Sequence, residues 1–156
     1  MVYQTRRQYM AEPTAVVFED FIVELAKKAN INIASKEPGQ VTINYTLDNG
    51  RHQRVWIKPF LNDNLKHLLL FAIHSPALTM PKGQQLGKET ANMILRRNST
   101  LPQGAWAIEE GKNEDYLVVM HVLIANYVSP QEFLEAVEWA AILADDMEKT
   151  FGQDNF

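Results

Sequence analysis

The sequence predicts an α+β fold in which three helices cover one face of a five-stranded antiparallel or mixed sheet, in the order α-β-β-β-α-β-β-α. Three observations carry this expectation. Apolar residues recur every three or four positions after Pro13 and again after Pro130, as in amphipathic helices. The period shortens to two around Val41–Leu47 and Ala105–Glu110, as in half-buried strands. Turn residues (Asp48-Asn49-Gly50, Leu101-Pro102-Gln103-Gly104 and the polar run from Gly111 to Asp115) separate these segments. With 46% hydrophobic residues in 156, the chain has enough apolar material for one core. The expected division is an N-terminal arm at 1–12, one domain at 13–151 and a short tail at 152–156.

The first helix is expected over about residues 13 to 30. Phe18, Phe21, Ile22, Leu25, Ala26 and Ala29 form its apolar stripe, Lys27 and Lys28 complement the carbonyl end, and Asn30 is a plausible stop. In the first strand Val41, Ile43, Tyr45 and Leu47 alternate with polar residues before the Asn-Gly turn, whose positive φ suits a hairpin. The second strand sets Val55 and Ile57 against Trp56 and Phe60, with Pro59 at its end or at an edge. A third strand, about Leu65 to Ser75, is apolar on both sides, and the prolines and glycine from Pro76 to Gly83 read as a loop.

Helix-forming residues resume from Gln84 to Asn98, with Leu86, Thr90, Met93 and Ile94 inward and Ala91 and Leu95 outward. Ala105–Glu110 is the fourth strand, and Tyr116–Tyr127, apolar on both faces, is a fifth expected in the middle of the sheet. Ser129-Pro130-Gln131-Glu132 supplies a cap, a proline at the first helical position and the glutamate of a capping box for a last helix running to Phe151. At 100° per residue, Phe133, Ala136, Val137, Ala140, Leu143, Ala144, Met147 and Phe151 share one face. Trp139 and Ile142 project from the opposite, acidic side among Glu135, Glu138, Asp145 and Asp146.

Composition excludes several function classes. Without cysteine there is no disulfide scaffold, no thiol nucleophile and no thiolate metal site. Fifteen basic against nineteen acidic residues leave a net charge of −4, which removes the electrostatic attraction that nucleic acids and anionic membranes rely on. The N-terminus lacks the apolar core of a signal peptide, and no apolar run reaches the ~20 residues of a membrane span. A cytoplasmic protein with no nucleic-acid and no membrane partner is expected.

The element order, together with Ile94-Leu95-Arg96-Arg97-Asn98, Leu101-Pro102-Gln103-Gly104 and the helix opening Ser129-Pro130-Gln131-Glu132-Phe133-Leu134, resembles the type III secretion chaperone-like (Tir chaperone-like) fold, and its second half is similar to the bacterial YbjN-like branch. The recognisable residues cover positions 86 to 150. The resemblance implies a small, acidic, cofactor-free homodimer. In the secretion chaperones exposed apolar patches bind an unfolded segment of a client and the second helix often contributes to dimerisation, while YbjN-like relatives are described as regulators. The longer arm with Tyr3, Arg6, Arg7 and Tyr9 departs from the usual secretion chaperone.

No catalytic constellation emerges from the motifs. Gly83 to Glu89 evokes a phosphate loop, but three residues replace the required four before Gly87-Lys88, and Glu89 stands where a magnesium-binding hydroxyl belongs. His52, His67, His74 and His121 form no paired ligand motif, and His67 and His74 should face opposite sides of a regular strand. The neighbours Glu109-Glu110 and Asp145-Asp146 diverge on strand or helix and read as solvated surface. Ser99 and Ser129 lack a nucleophile elbow.

What remains is apolar surface: Trp139 with Ile142, and Ala91 with Leu95, set among charges. These four are the expected protein-binding residues of a non-enzymatic, homodimeric, chaperone-like adaptor or regulator that binds apolar segments of a partner protein, with no cofactor. The alternative is a small-molecule-binding or catalytic domain with a pocket between sheet and helices, lined by Trp56, Trp106 and histidines.

Overall fold

The computed structural model describes residues 17–65 and 68–152. The arm, the expected helix start at 13–16, His67 and the tail beyond Gly152 lie outside the described residues. Helix α1 spans Phe18–Lys28, followed by strands β1 (Ser35–Glu37), β2 (Gln40–Thr46) and β3 (His52–Pro59), a 3-10 turn (Asp63–Leu65) and β4 (Leu70–Pro81). Helix α2 (Lys88–Asn98), β5 (Ala105–Glu110), β6 (Glu114–Ile124) and α3 (Pro130–Phe151) complete the order. The sheet is antiparallel throughout, with neighbours β1-β2-β3-β4-β6-β5.

Among the described residues the α+β class and the three helices agree with expectation, but the sheet has six strands rather than five. The additional strand, β1, is three exposed polar residues paired to β2, with no apolar alternation to announce it. The expected loop from Pro76 to Gly83 is largely corrected, because β4 continues through Pro76 to Pro81 and only Lys82 and Gly83 turn. Its pairing explains how the prolines fit. β3 follows β4 no further than Trp56↔His74, so beyond His74 one side of β4 needs no ladder donors, and a bulge between Pro76 and Leu78 absorbs the first proline. Ser75 Oγ donates to the Arg54 carbonyl at 2.8 Å, and Gln53 Nε2 to the Pro76 carbonyl at 2.7 Å, which ties β3 to β4 where the ladder stops. Helix α2 starts at Lys88, not Gln84, and β6 lies between β4 and β5, one place in from the edge.

Both helix and strand periodicities converge on one side of the sheet. Ile22, Val41, Ile43, Val55, Ile57, Ile73, Trp106, Val119, Phe133, Val137, Ala140 and Met147 belong to a single buried cluster, with α3 packed chiefly on β4, β3 and β6. Phe71 sits between Phe21 and Phe133, at ring distances of 6.1 and 6.3 Å. The capping box of α3 forms: Ser129 Oγ accepts from the Glu132 amide at 3.1 Å, and Glu132 Oε2 accepts from the Ser129 amide at 2.7 Å. Gly104 has φ 69°, and a Cβ there would lie 2.5 Å from the Met120 carbonyl and 3.0 Å from the Trp139 ring. A glycine is thus required in the Leu-Pro-x-Gly turn.

The β2–β3 turn is anchored to α3 by charge. Arg51 Nε lies 2.5 Å from Asp145 Oδ1, and its Nη2 lies 3.1 Å from Glu148 Oε2. Lys149 reaches Asp145 at 2.6 Å. Glu148 is fully buried and Asp145 nearly so, which corrects the expectation that Asp145 belongs to a solvated acidic face. Such a pair contributes most by what its loss would strand, since removing one partner leaves a buried charge uncompensated. Arg51→Met should therefore cost about 3 kcal/mol in urea unfolding, at the lower end of the usual range because Lys149 still neutralises Asp145. Adding Glu148→Gln to that variant should recover part of the loss.

Candidate functional site

Exposed apolar side chains are spread over several places, Leu61, Leu69 and Tyr127 among them, and two surfaces stand out beside these. The first contains the residues expected to bind protein. Leu95 is 65% exposed on α2, and Ala91, one turn earlier, is half-buried. Neighbouring β5 contributes Ile108, 49% exposed. The two elements are joined by Asn98, whose Oδ1 accepts from the Trp106 amide at 2.7 Å while its Nδ2 donates to the Trp106 carbonyl at 3.2 Å. Since an antiparallel residue directs both main-chain groups to one side, Trp106 presents its pair away from β6, towards the outer edge of β5.

Trp139 and Ile142 do not act as one exposed pair. Trp139 is half-buried against the core, its ring 6.0 Å from that of His121 and close to Gly104. The turn before β5 brings Gly104 against the indole, a contact invisible to a helical wheel drawn for α3 alone. Ile142 is 50% exposed and lines a shallow depression with Tyr45, Leu47 and Glu138. The structure thus leaves Leu95 exposed on α2 and Ile108 exposed on neighbouring β5, places Ile142 on α3 beside the β2–β3 hairpin, and withdraws Trp139 from the surface set.

The second surface is the sheet face opposite the helices. Alternate residues of β2 and β3 (Thr42 and Asn44, then Arg54, Trp56 and Lys58) point there, since their neighbours Val41, Ile43, Val55 and Ile57 fill the core. Trp56 and Trp106, expected to share a pocket between sheet and helices, are on opposite faces: Trp106 is part of the core, whereas Trp56 floors a trough of about 550 Å³. Neighbouring strands are ~4.8 Å apart, so β3 and β5, three steps removed, would be ~14 Å apart in a flat sheet. Lys58 nevertheless bonds Glu109, and the Trp56 and Tyr116 rings are 5.1 Å apart, edge to face. The sheet must curl over this face.

Three ionisable groups meet in that curl. His74 Nδ1 lies 2.7 Å from Glu109 Oε2, Lys58 Nζ bonds Glu109 Oε1, and the Lys58 ammonium lies 4.8 Å from the Trp56 ring centroid. Glu109 is therefore no solvated residue, unlike Glu110, which is largely exposed and pairs with Lys82 at 3.3 Å. Burial raises the proton affinity of Glu109, but the hydrogen bonds and charges of His74 and Lys58 outweigh it and hold the carboxyl below its ordinary value. The Glu114 hydrogen bond, with burial second, pushes the Tyr116 phenol up to about 12. Burial lowers His121, favouring the neutral ring beside Trp139.

The four histidines do not converge. His52 contacts Thr46 at 3.1 Å on an exposed stretch, His74 and His121 face opposite sides of the sheet, and His67 lies outside the described residues. Among the described residues, no three His, Asp or Glu side chains are grouped so as to hold a metal. Likewise no helix is long and apolar enough to cross a membrane. The trough was missed from sequence because Glu109 and Lys58 are 51 positions apart and meet through sheet curvature. The alternation in Arg54-Val55-Trp56-Ile57-Lys58 did carry a signal, a polar and aromatic face that needed an opposing wall.

Folding lowers the pKa of Glu109, so its contribution to stability is complete above the ordinary value of 4.5 and is lost as pH falls through the depressed one. The difference in urea midpoint between the native protein and Glu109→Gln should therefore shrink as pH drops from about 6 to about 3. A difference independent of pH would show that the carboxylate charge is not what the contact uses. No family model matches the chain, and no curated protein matches it.

Proposed function

We propose that the protein is a non-enzymatic, homodimeric binding module of the cytoplasm, a chaperone-like adaptor or regulator that receives an apolar segment of a partner protein. The observation that carries this reading is that two large aliphatic side chains, Leu95 at 65% and Ile108 at 49% exposure, stay uncovered on two neighbouring elements that Asn98 joins. A large aliphatic side chain in that position gains free energy when a second surface covers it, at ~25 cal/mol per Å² of apolar area removed from water. β5 is an edge strand, and its outward main-chain groups beyond Trp106 add directional bonds to the burial.

Charge supports the same reading. Arg96 and Arg97 follow Leu95, and Arg97 reaches Asp146 of α3 at 3.4 Å, so the apolar site is rimmed by polar groups as an interface core commonly is. Ala91 gives the rim a small side chain next to Leu95, allowing close approach. The secretion chaperone-like resemblance points the same way, since there the second helix contributes to dimerisation. Ile142, on the crest of α3, is a separate contact point suited to the partner segment rather than to the second copy.

Leu95→Glu should convert the dimer to a monomer in light scattering at micromolar concentration, with the far-ultraviolet circular dichroism unchanged because the residue lies outside the core. An unchanged mass for this variant would overturn the assignment of α2 and β5 to self-association.

A further inference from the structure

Among the described residues, the ionisable groups of the trough on the open sheet face pair with one another except Arg54 at one end and Glu37 at the other. Glu109 is neutralised by Lys58 and faces His74, Glu110 pairs with Lys82, and the Tyr116 hydroxyl donates to Glu114 at 2.6 Å. Arg54 lines the same space, and among the described residues no carboxylate pairs with its guanidinium. It is the one strong cation there whose charge is not already spoken for. Asn44 stands opposite Arg54 in the β2–β3 register, and Thr42 stands opposite Trp56, so amide and hydroxyl groups continue in a row away from the cation. The unpaired acid Glu37 is at the other end, on β1 against Gln40, four residues or about 13 Å along β2 from Asn44.

We propose that this trough is a binding site for a small polyhydroxylated acid, whose carboxylate or phosphate rests on Arg54 and whose hydroxyls run along Asn44 and Thr42 over the edge of Trp56. Three features select that chemistry. A volume of about 550 Å³ falls within the ~300–1,000 Å³ typical of small-molecule sites and accommodates a ligand of hexose size. The lining is mainly polar, which suits hydroxyls and disfavours a greasy ligand. The fork of a guanidinium pairs two oxygens of a carboxylate or phosphate at once, and the distance to Glu37 keeps the like charge away from the acid group. β5 takes part in both surfaces, with Glu109 on the trough and Ile108 on the opposite face, and none of the ligand contacts proposed here uses a residue of α2 or β5.

The test is a titration of the full chain, followed by amide NMR shifts, with glucuronate, glucose 6-phosphate and glucose, which share one sugar ring and carry a carboxylate, a phosphate and no acid group respectively. Saturable shifts with one or both acids, centred on Thr42, Asn44, Arg54 and Tyr116, are expected, with glucose binding at least tenfold more weakly. Whichever of the two acids binds more tightly identifies the anion as carboxylate or phosphate. Arg54→Gln should weaken the tighter ligand at least tenfold, and Arg54→Lys should restore part of it, because the charge remains while the fork is lost. Failure of both acids to saturate, equal affinity for glucose, or an Arg54→Gln variant that binds as well as the native protein would overturn the proposal. The mass in light scattering should be unchanged in Arg54→Gln, so a loss of ligand binding is distinguishable from a loss of dimer.

Discussion

A sheet that packs helices on one side has a second side to account for, and here its shape is set by where β4 stops being a central strand. Up to His74 it is held by β3 and β6; past His74 it keeps only β6, and the bulge between Pro76 and Leu78 inserts a residue at that transition. A bulge bends its strand and increases the local twist. The β5–β6 hairpin, carried on the far half of β4, is thereby turned towards β3. Without that turn Glu109 would stand ~14 Å from the β3 backbone instead of bonding Lys58.

The two layers consequently serve different ends. On the helix side, aliphatic and aromatic residues of five strands close against α3 and α1, and the charges that enter this layer do so in compensated form. Arg51 between Asp145 and Glu148 is the main example, and it also fixes the tip of the β2–β3 hairpin to the last helix. On the open side the contacts are polar and sparse. Their geometry depends on the helix layer only indirectly, through the curvature that packing imposes on the strands.

Much of this architecture could be read in the residues. The capping box at Ser129, the Asn-Gly hairpin and the β5 boundaries follow from local chemistry, and all three formed where the sequence placed them. Local chemistry misled where pairing decided the outcome. Pro76 reads as a loop until it is known that one side of β4 has no neighbour there, and Ser35–Glu37 has no pattern of its own because the β2 edge dictates its pairing. Trp139 looked exposed on a wheel because the wheel cannot contain Gly104, 35 positions earlier. Leu95 was legible because nothing distant in the chain comes back to cover it. The trough was not, since one wall comes from β1 to β3 and the other from the β5–β6 hairpin, which are far apart in the chain and separated by β4 in the sheet.

The Asn98 carboxamide has a consequence for how β5 meets other chains. By accepting from the amide and donating to the carbonyl of Trp106, it does for that residue what a seventh strand would do, using one side chain in place of a backbone. The outward main-chain groups that follow at two-residue intervals belong to Ile108 and Glu110. An incoming extended segment therefore finds a docking lane one or two rungs long rather than an open rail. That is enough to fix an orientation and too little to template open-ended stacking of copies into a fibre.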